Sequence, residues 1–349
     1  MTAIAASLAF LLTVLLVPVV ISICERWQLF DRPGPLKIHT RPVPRLGGVA
    51  LVLAISASIF AAAPRDATRA WTFFAALTLV WLPGLVDDLR GLSALLRLAP
   101  QIVAGIILWR AGWAVPVATN GVISALATCA FVASFANFFN LLDGADGLVA
   151  GVAGIIAVAY IFAPLSFVPS FGVVVACGIA GACGGFLTFN YPSAAVFCGD
   201  SGSTALGLLI AFLALDLWRS NSVTPSRIIF PLLVAALPLL DFAFAIVRRL
   251  AAGSAPWRGD RLHAYDRLRA RGWSSRRVAL TYYAVTAALA AIALWGVRRE
   301  SAVFWLAAVL GVCVLIVLAV RLGVLRQGGE TSAPQNTSRM VNKETAGSD

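Results

Sequence analysis

Apolar residues along this chain come in long runs separated by short polar clusters. A helix that crosses a bilayer needs about 20 mostly apolar residues. Read at that length, the pattern predicts eleven spans, with ten as the main alternative: 3–23, 46–63, 71–86, 98–113, 119–141, 148–164, 168–189, 202–218, 228–247, 277–297 and 302–322. Several of these are short for an upright helix. The predicted fold class is all-α, a polytopic transmembrane helix bundle in which residues 1–326 form one domain with cytoplasmic loops. The stretch 327–349 is rich in Ser, Thr, Asn and Gly, lacks an apolar period, and reads as a disordered cytoplasmic tail.

Composition supports the bilayer. The 349 residues are 60% hydrophobic and 12% charged, with mean hydropathy +0.88, whereas a soluble domain carries about a quarter charged residues. Six cysteines sit singly, mostly inside apolar runs, with no CxxC and two histidines in the whole chain. They read as small buried hydrophobes.

Charge orients the bundle. The first span has no basic residue before Arg26 and is too long for a cleaved signal core, so the N-terminus is expected outside. Alternate loops then lie inside, as does the C-terminus. Twenty Lys and Arg fall on the inner side and seven outside, a strong positive-inside bias. The net charge of +11 lies between spans and not along one soluble face. This placement excludes nucleic acid as the natural partner and favours anionic lipid head groups and a phosphorylated substrate.

The acids carry the chemistry. Ten of sixteen Asp and Glu fall on the inner side in this topology. Such a cluster beside an anionic leaflet calls for cations: neighbouring arginines in part, and a divalent metal. Asp87-Asp88 ends the third span, where two adjacent carboxylates repel; a solvated helix end is the plainer account. Asn137-Phe-Phe-Asn140-Leu-Leu-Asp143-Gly-Ala-Asp146-Gly147 joins the fifth and sixth spans with almost no loop. One Asp-Gly pair would make the turn, and here there are two; the side chains suit a sugar, a base or a metal. Asn190 and then Gly199-Asp200-Ser-Gly-Ser203 supply a third site at the same depth. Asp200 could be a helix N-cap, or a ligand for Mg²⁺, which shares itself between one or two carboxylates and a substrate phosphate.

Two basic loops complete the set. Asp31-Arg-Pro-Gly-Pro-Leu-Lys37-Ile-His39-Thr-Arg41-Pro-Val-Pro-Arg45-Leu-Gly-Gly48 suits a phosphate at the membrane surface, or is ordinary inner-loop charge. Asp260-Arg261-Leu-His263-Ala-Tyr265-Asp266-Arg267 lies in the longest inner loop. His263 there binds a diphosphate or caps a helix.

In this order the motifs resemble the polyprenyl-phosphate N-acetylhexosamine-1-phosphate transferases, glycosyltransferase family 4. Members include the phospho-MurNAc-pentapeptide translocase and the GlcNAc-1-phosphate transferases that start O-antigen and teichoic acid linkage units. The likeness runs from about Asp31 to Gly272 and includes Asp87-Asp88, Gln101, Asn137 to Asp146, Phe189-Asn190, Gly199-Asp200-Ser-Gly-Ser, and Pro238, Asp241 and Arg248-Arg249.

The resemblance implies transfer of a HexNAc 1-phosphate from a UDP-N-acetyl sugar to undecaprenyl phosphate, with UMP released. It implies a Mg²⁺ cofactor, or Mn²⁺ in its place, and a multi-pass protein of the bacterial cytoplasmic (inner) membrane with its active site on the cytoplasmic face. Relatives suggest a homodimer. Carried over by residue, Asp87 and Asp88 lie near the prenyl phosphate, Asp200 binds metal with Asn140, and His263 is catalytic. Lys37, His39, Asn137, Asn140, Asp143, Asp146, Asn190 and Arg261 are the implied substrate-binding residues. One departure stands out. Better-known members carry a histidine cluster in the last inner loop, and here only His263 matches, in a His-x-Tyr form similar to O-antigen-initiating relatives.

Two other classes compete. A transporter would place its ionisable residues near the bilayer midplane, whereas here Asp241 is the one acid clearly inside a span. A non-catalytic lipid-binding protein has no need of four polar motifs on one face.

Overall fold

Every predicted span proves helical. The computed structural model describes residues 1–34, 41–62, 67–117, 120–163, 170–219, 224–256 and 259–326. The predicted tail, 327–349, lies outside them, as do Lys37 and His39. The order is α1 (Thr2–Trp27), β1 (Phe30–Asp31), β2 (Val43–Pro44), α2 (Gly47–Ala62), α3 (Ala67–Arg90), α4 (Ala94–Arg110), α5 (Gly121–Leu142) and α6 (Leu148–Phe162). There follow α7 (Phe171–Asn190), α8 (Gly199–Trp218), α9 (Pro225–Val234), α10 (Ala236–Ala251), α11 (Ala264–Ala270), α12 (Ser275–Arg298) and α13 (Ala302–Leu322).

The helices support a polytopic membrane bundle, and a length criterion picks out part of the predicted set. Among the described residues, seven helices (α1, α3, α5, α7, α8, α12 and α13) are long and apolar enough to cross a membrane, or eight if α9 and α10 form one span broken by a 69° bend. The break falls at Ala235; Pro238, in the first turn of α10, has no N–H to carry the helical ladder back to Val234. Helices α2 and α6 are apolar but short, and many of their residues are buried by neighbouring helices. An apolar run signals burial, in protein as readily as in lipid.

Helix α8 is the axis of the bundle. Its most apolar window is 89% buried, and it packs against α2, α3, α5, α6, α7 and α9. The corresponding window of α13 is the most hydrophobic of all and is 11% buried. That inverts the soluble-protein rule. A lipid-facing helix needs no partner for its Val and Leu side chains, while the central helix carries the small Gly, Ser and Thr that let backbones approach.

The C-terminal ends of α3, α5 and α7 converge on the start of α8. Helix α3 can lie close because residue 84 is glycine: a Cβ there would sit 2.7 Å from the Asp200 carbonyl oxygen. The β1–β2 ribbon pairs Phe30 with Pro44 and Asp31 with Val43. Its second strand continues against the approach to α8, where Phe197 N–H donates to Pro44 O (2.8 Å) and Gly47 N–H to Phe197 O (3.0 Å). The described residues Asp31, Arg41, Val43 and Arg45 thereby reach the wall of the acid cluster.

Candidate active site

A cavity of about 540 Å³ opens where these ends meet. Its wall holds five carboxylates (Asp31, Asp88, Asp143, Asp146 and Asp200) and three arginines (Arg41, Arg45 and Arg269).

Asp88 is buried, and its task is plain from its partners. Oδ1 accepts from Asp200 N–H at 2.8 Å and Oδ2 from Ser201 N–H at 3.0 Å. The first amides of a helix have no partner within it, and a carboxylate satisfies them while complementing the positive end of the helix dipole. One acid of the pair thus holds the helix that presents Asp200. Its neighbour Asp87 turns the other way, where Oδ2 accepts from Arg97 at 2.8 Å and Oδ1 from Leu92 N–H. Arg97, on the first turn of α4, also bonds to Asp200, so one guanidinium bridges two carboxylates.

Asn140 completes this group. The Ser203 hydroxyl has one proton and gives it to Gly199 O at 2.9 Å. It therefore accepts from the Asn140 amide nitrogen at 2.8 Å, which also donates to Asp200 Oδ1 at 3.1 Å and leaves the amide oxygen for Arg97 at 3.3 Å. In this orientation Asn140 aims the Asp200 carboxylate by its nitrogen.

The other substrate-binding candidates divide. Asp143 and Asp146 line the cavity, and Asp146 Oδ2 accepts from Ala194 N–H at 3.2 Å. Burial, followed by the negative charges of Asp200 and Asp88, holds the Asp143 carboxyl well above the ordinary range. Such a wall attracts cations. Asn190 also lines the cavity, with both ends of its amide engaged: Oδ1 accepts from Gly147 N–H (3.0 Å) and Nδ2 donates one hydrogen to Val196 O (2.7 Å). Asn137 lies one turn before Asn140 and braces α5 to α4, donating to Gln101 Oε1 at 2.7 Å and Ala133 O at 2.8 Å. Arg41 donates to Ser193 Oγ at 3.1 Å and Ala194 O at 3.3 Å.

The loop after α10 forms, with α10 itself, a separate, closed network. His263 is 2% exposed and does not line the cavity. Its Nδ1 lies 2.8 Å from Asp241 Oδ2, whose Oδ1 accepts Ala264 N–H at 2.9 Å and so caps α11. Asp260 takes a two-pronged contact from Arg248 (2.8 and 3.0 Å) and another from Arg249 (3.2 Å). Burial works to raise the Asp260 carboxyl, but the bonds and charge of Arg249 and Arg248 outweigh it and hold it below the ordinary range. Arg261 is exposed and lies outside the cavity wall.

Oxygen donors dominate the wall, with neither imidazole nor thiol among its residues. Among the described residues no three His, Cys, Asp or Glu form a ready-made metal cage. The oxygen-rich wall is of the chemistry that a hard cation takes. Arg97 and Arg269 are the residues that motif reading passes over. Each was one of twenty inner-side cations, and the available signal was the spacing of Arg97, ten residues after Asp87, on the first turn of the next helix.

A pocket of carboxylates and arginines at one end of a bundle of candidate spanning helices fits a membrane enzyme or carrier of charged ligands. Comparison narrows this class. The profile of glycosyl transferase family 4 matches residues 70–218, which carry α3 to α8 and most of the acids above. The decaprenyl-phosphate N-acetylglucosaminephosphotransferase of Mycobacterium tuberculosis is 32% identical over 342 residues, covering 86% of this chain and 84% of that one. The phospho-N-acetylmuramoyl-pentapeptide-transferase of Moorella thermoacetica is 30% identical, covering 82% and 96%. The undecaprenyl-phosphate alpha-N-acetylglucosaminyl 1-phosphate transferase of Haemophilus influenzae is 35% identical over a shorter stretch, 30% of this chain and 29% of that one. The chain belongs to glycosyl transferase family 4, the membrane-embedded polyprenyl-phosphate sugar-phosphate transferases.

Proposed function

We propose that this protein transfers an N-acetylhexosamine 1-phosphate from a UDP-N-acetyl sugar to undecaprenyl phosphate at the cytoplasmic face of the inner membrane. The products are undecaprenyl-diphosphate-HexNAc, the first lipid-linked intermediate of a surface glycan such as O-antigen, and UMP. The supporting observation is the cavity itself, where five carboxylates and three arginines meet at the ends of spanning helices. A nucleotide sugar can enter there from water and a lipid phosphate from the bilayer.

An oxygen of the lipid phosphate attacks the β-phosphorus of the sugar nucleotide. The bond from that phosphorus to the bridging oxygen breaks, and UMP leaves with the electron pair. A phosphate monoester has its second pKa near 6, so the nucleophile is largely dianionic at neutral pH and needs no strong base. Asp87 and Asp88 accordingly act by position: Asp88 fixes the start of α8 and Asp87 holds Arg97. Arg41, Arg45 and Arg269 face the phosphates and offset their mutual repulsion. Asp200 is the residue that would hold Mg²⁺, or Mn²⁺, with Asn140 setting its carboxylate. When bound, the ion supplies charge neutralisation across the diphosphate.

The mycobacterial and Haemophilus relatives are N-acetylglucosamine phosphate transferases by name, so UDP-GlcNAc is the first donor to try. The test is UMP release by purified full-length protein supplied with undecaprenyl phosphate, Mg²⁺ and a panel of UDP-N-acetyl sugars. Release that needs both lipid and metal supports the reaction and names the sugar. No release from any donor, by folded protein that still binds lipid, overturns it.

A further inference from the structure

Two tyrosines outside the cavity wall grip the turn that carries Asp143 and Asp146. Tyr265, in the first turn of α11, donates its hydroxyl to Leu141 O at 3.1 Å. Tyr283, on α12, donates to Gly147 O at 2.6 Å. The bonds fall at the two ends of the Asp143-Gly-Ala-Asp146 turn. At each, a glycine makes room for the ring. A Cβ at residue 144 would lie 2.0 Å from the Tyr265 hydroxyl, and one at residue 151 would lie 2.1 Å from the Tyr283 ring. Gly144 has ordinary negative φ, so space and not backbone conformation is what demands glycine there.

The Tyr265 ring is itself held. It stacks on His263, with centroids 5.5 Å apart and planes 3° from parallel, and His263 is fixed by Asp241. The connected series runs from Asp241 through His263 and Tyr265 to the backbone of the turn, and from there to Asp143 on the cavity wall.

We infer that Tyr265 and Tyr283 are positioning residues that fix the Asp143–Asp146 turn, and that His263 acts on the site through Tyr265 and not by contact with substrate. That this turn serves the sugar-nucleotide donor rests on the reaction proposed above; the grip itself does not. Removing a hydroxyl while keeping its ring loosens the turn without emptying the core, so the Phe variants isolate the effect.

The experiment is hydrogen exchange followed by mass spectrometry on full-length protein in detergent, comparing wild type with Tyr265→Phe and Tyr283→Phe. Exchange at residues 143–146 should rise about three- to tenfold, with the segment 205–215 of α8 unchanged. Unaltered exchange at the turn overturns the inference. Steady-state kinetics then assign the substrate: Tyr265→Phe should raise KM for the UDP-sugar several-fold and leave KM for the lipid unchanged. The reverse pattern, with exchange raised, overturns the donor assignment. A coupling test guards against a fold defect. Gly144→Ala should cost more in wild type than in a Tyr265→Ala background, and equal costs overturn the contact. Wild-type protein that releases no UMP with any donor would sink the transferase reading, while the exchange result would still decide the grip.

Discussion

Two ionic clusters lie at one end of this bundle, and they differ in what they leave open. At the junction of α3, α4 and α8, Asp87, Arg97 and Asp200 share charge beside the cavity, with 29% of the Asp200 side chain exposed. Between α10 and the loop that follows it, Asp241, Arg248 and Arg249 bind His263 and Asp260, and His263 keeps 2% exposure. Both are made of the residue types that catalysis uses. The first has oxygen valences turned toward an open space; the second spends its own on neighbours. A side chain can serve a substrate only with groups that its surroundings have not already claimed, and on that measure the two clusters are machinery and support.

The comparison can be broken most sharply at Asp200. Asp200→Asn should lower turnover about a thousandfold, since a charge aimed at the reacting phosphates is among the larger contributions an enzyme makes. UMP release measures this, and a loss of less than tenfold would remove Asp200 from the machinery. Next in size is Arg97→Ala, which leaves Asp87 and Asp200 without their shared cation. A misplaced carboxylate there should cost about a hundredfold in kcat/KM. Arg97→Lys should recover part of it, because an ammonium keeps the charge but not the fork that reaches both acids. Equal activity in wild type and Arg97→Ala would show that the bridge is incidental. The smallest effect falls on stability. Asp88→Ala removes the cap of α8 and should lower stability by about 1–2 kcal/mol, read as a reduced melting temperature in detergent. An unchanged melting temperature would contradict the capping role.

How far the sequence reaches differs between the same two regions. Asp87-Asp88, Asp143, Asp146 and Asp200 stand out because a carboxylate beside an apolar run has few ordinary explanations, and all but Asp87 line the cavity. Which of the first pair caps a helix was not legible, since that depends on α3 reaching the start of α8, 112 residues on in the chain. Arg97 was hidden by the positive-inside bias, which makes any inner-side arginine look ordinary. His263 was visible as a motif, but its burial depends on Asp241, placed 22 residues earlier by a bent helix. The short apolar helices α2 and α6 are where a count by hydropathy and a count by length part company. Hydropathy reports how apolar a segment is, and α2 and α6 meet that demand against their neighbours and not only in lipid.

The most direct test sets one member of each cluster side by side. Turnover of Asp200→Asn and His263→Gln, purified together with wild type and matched for melting temperature, should differ by two orders of magnitude or more: about a thousandfold loss in the first and about tenfold or less in the second. Equal, severe losses in both would place His263 among the groups that touch substrate, and the division between an open and a closed cluster would fail.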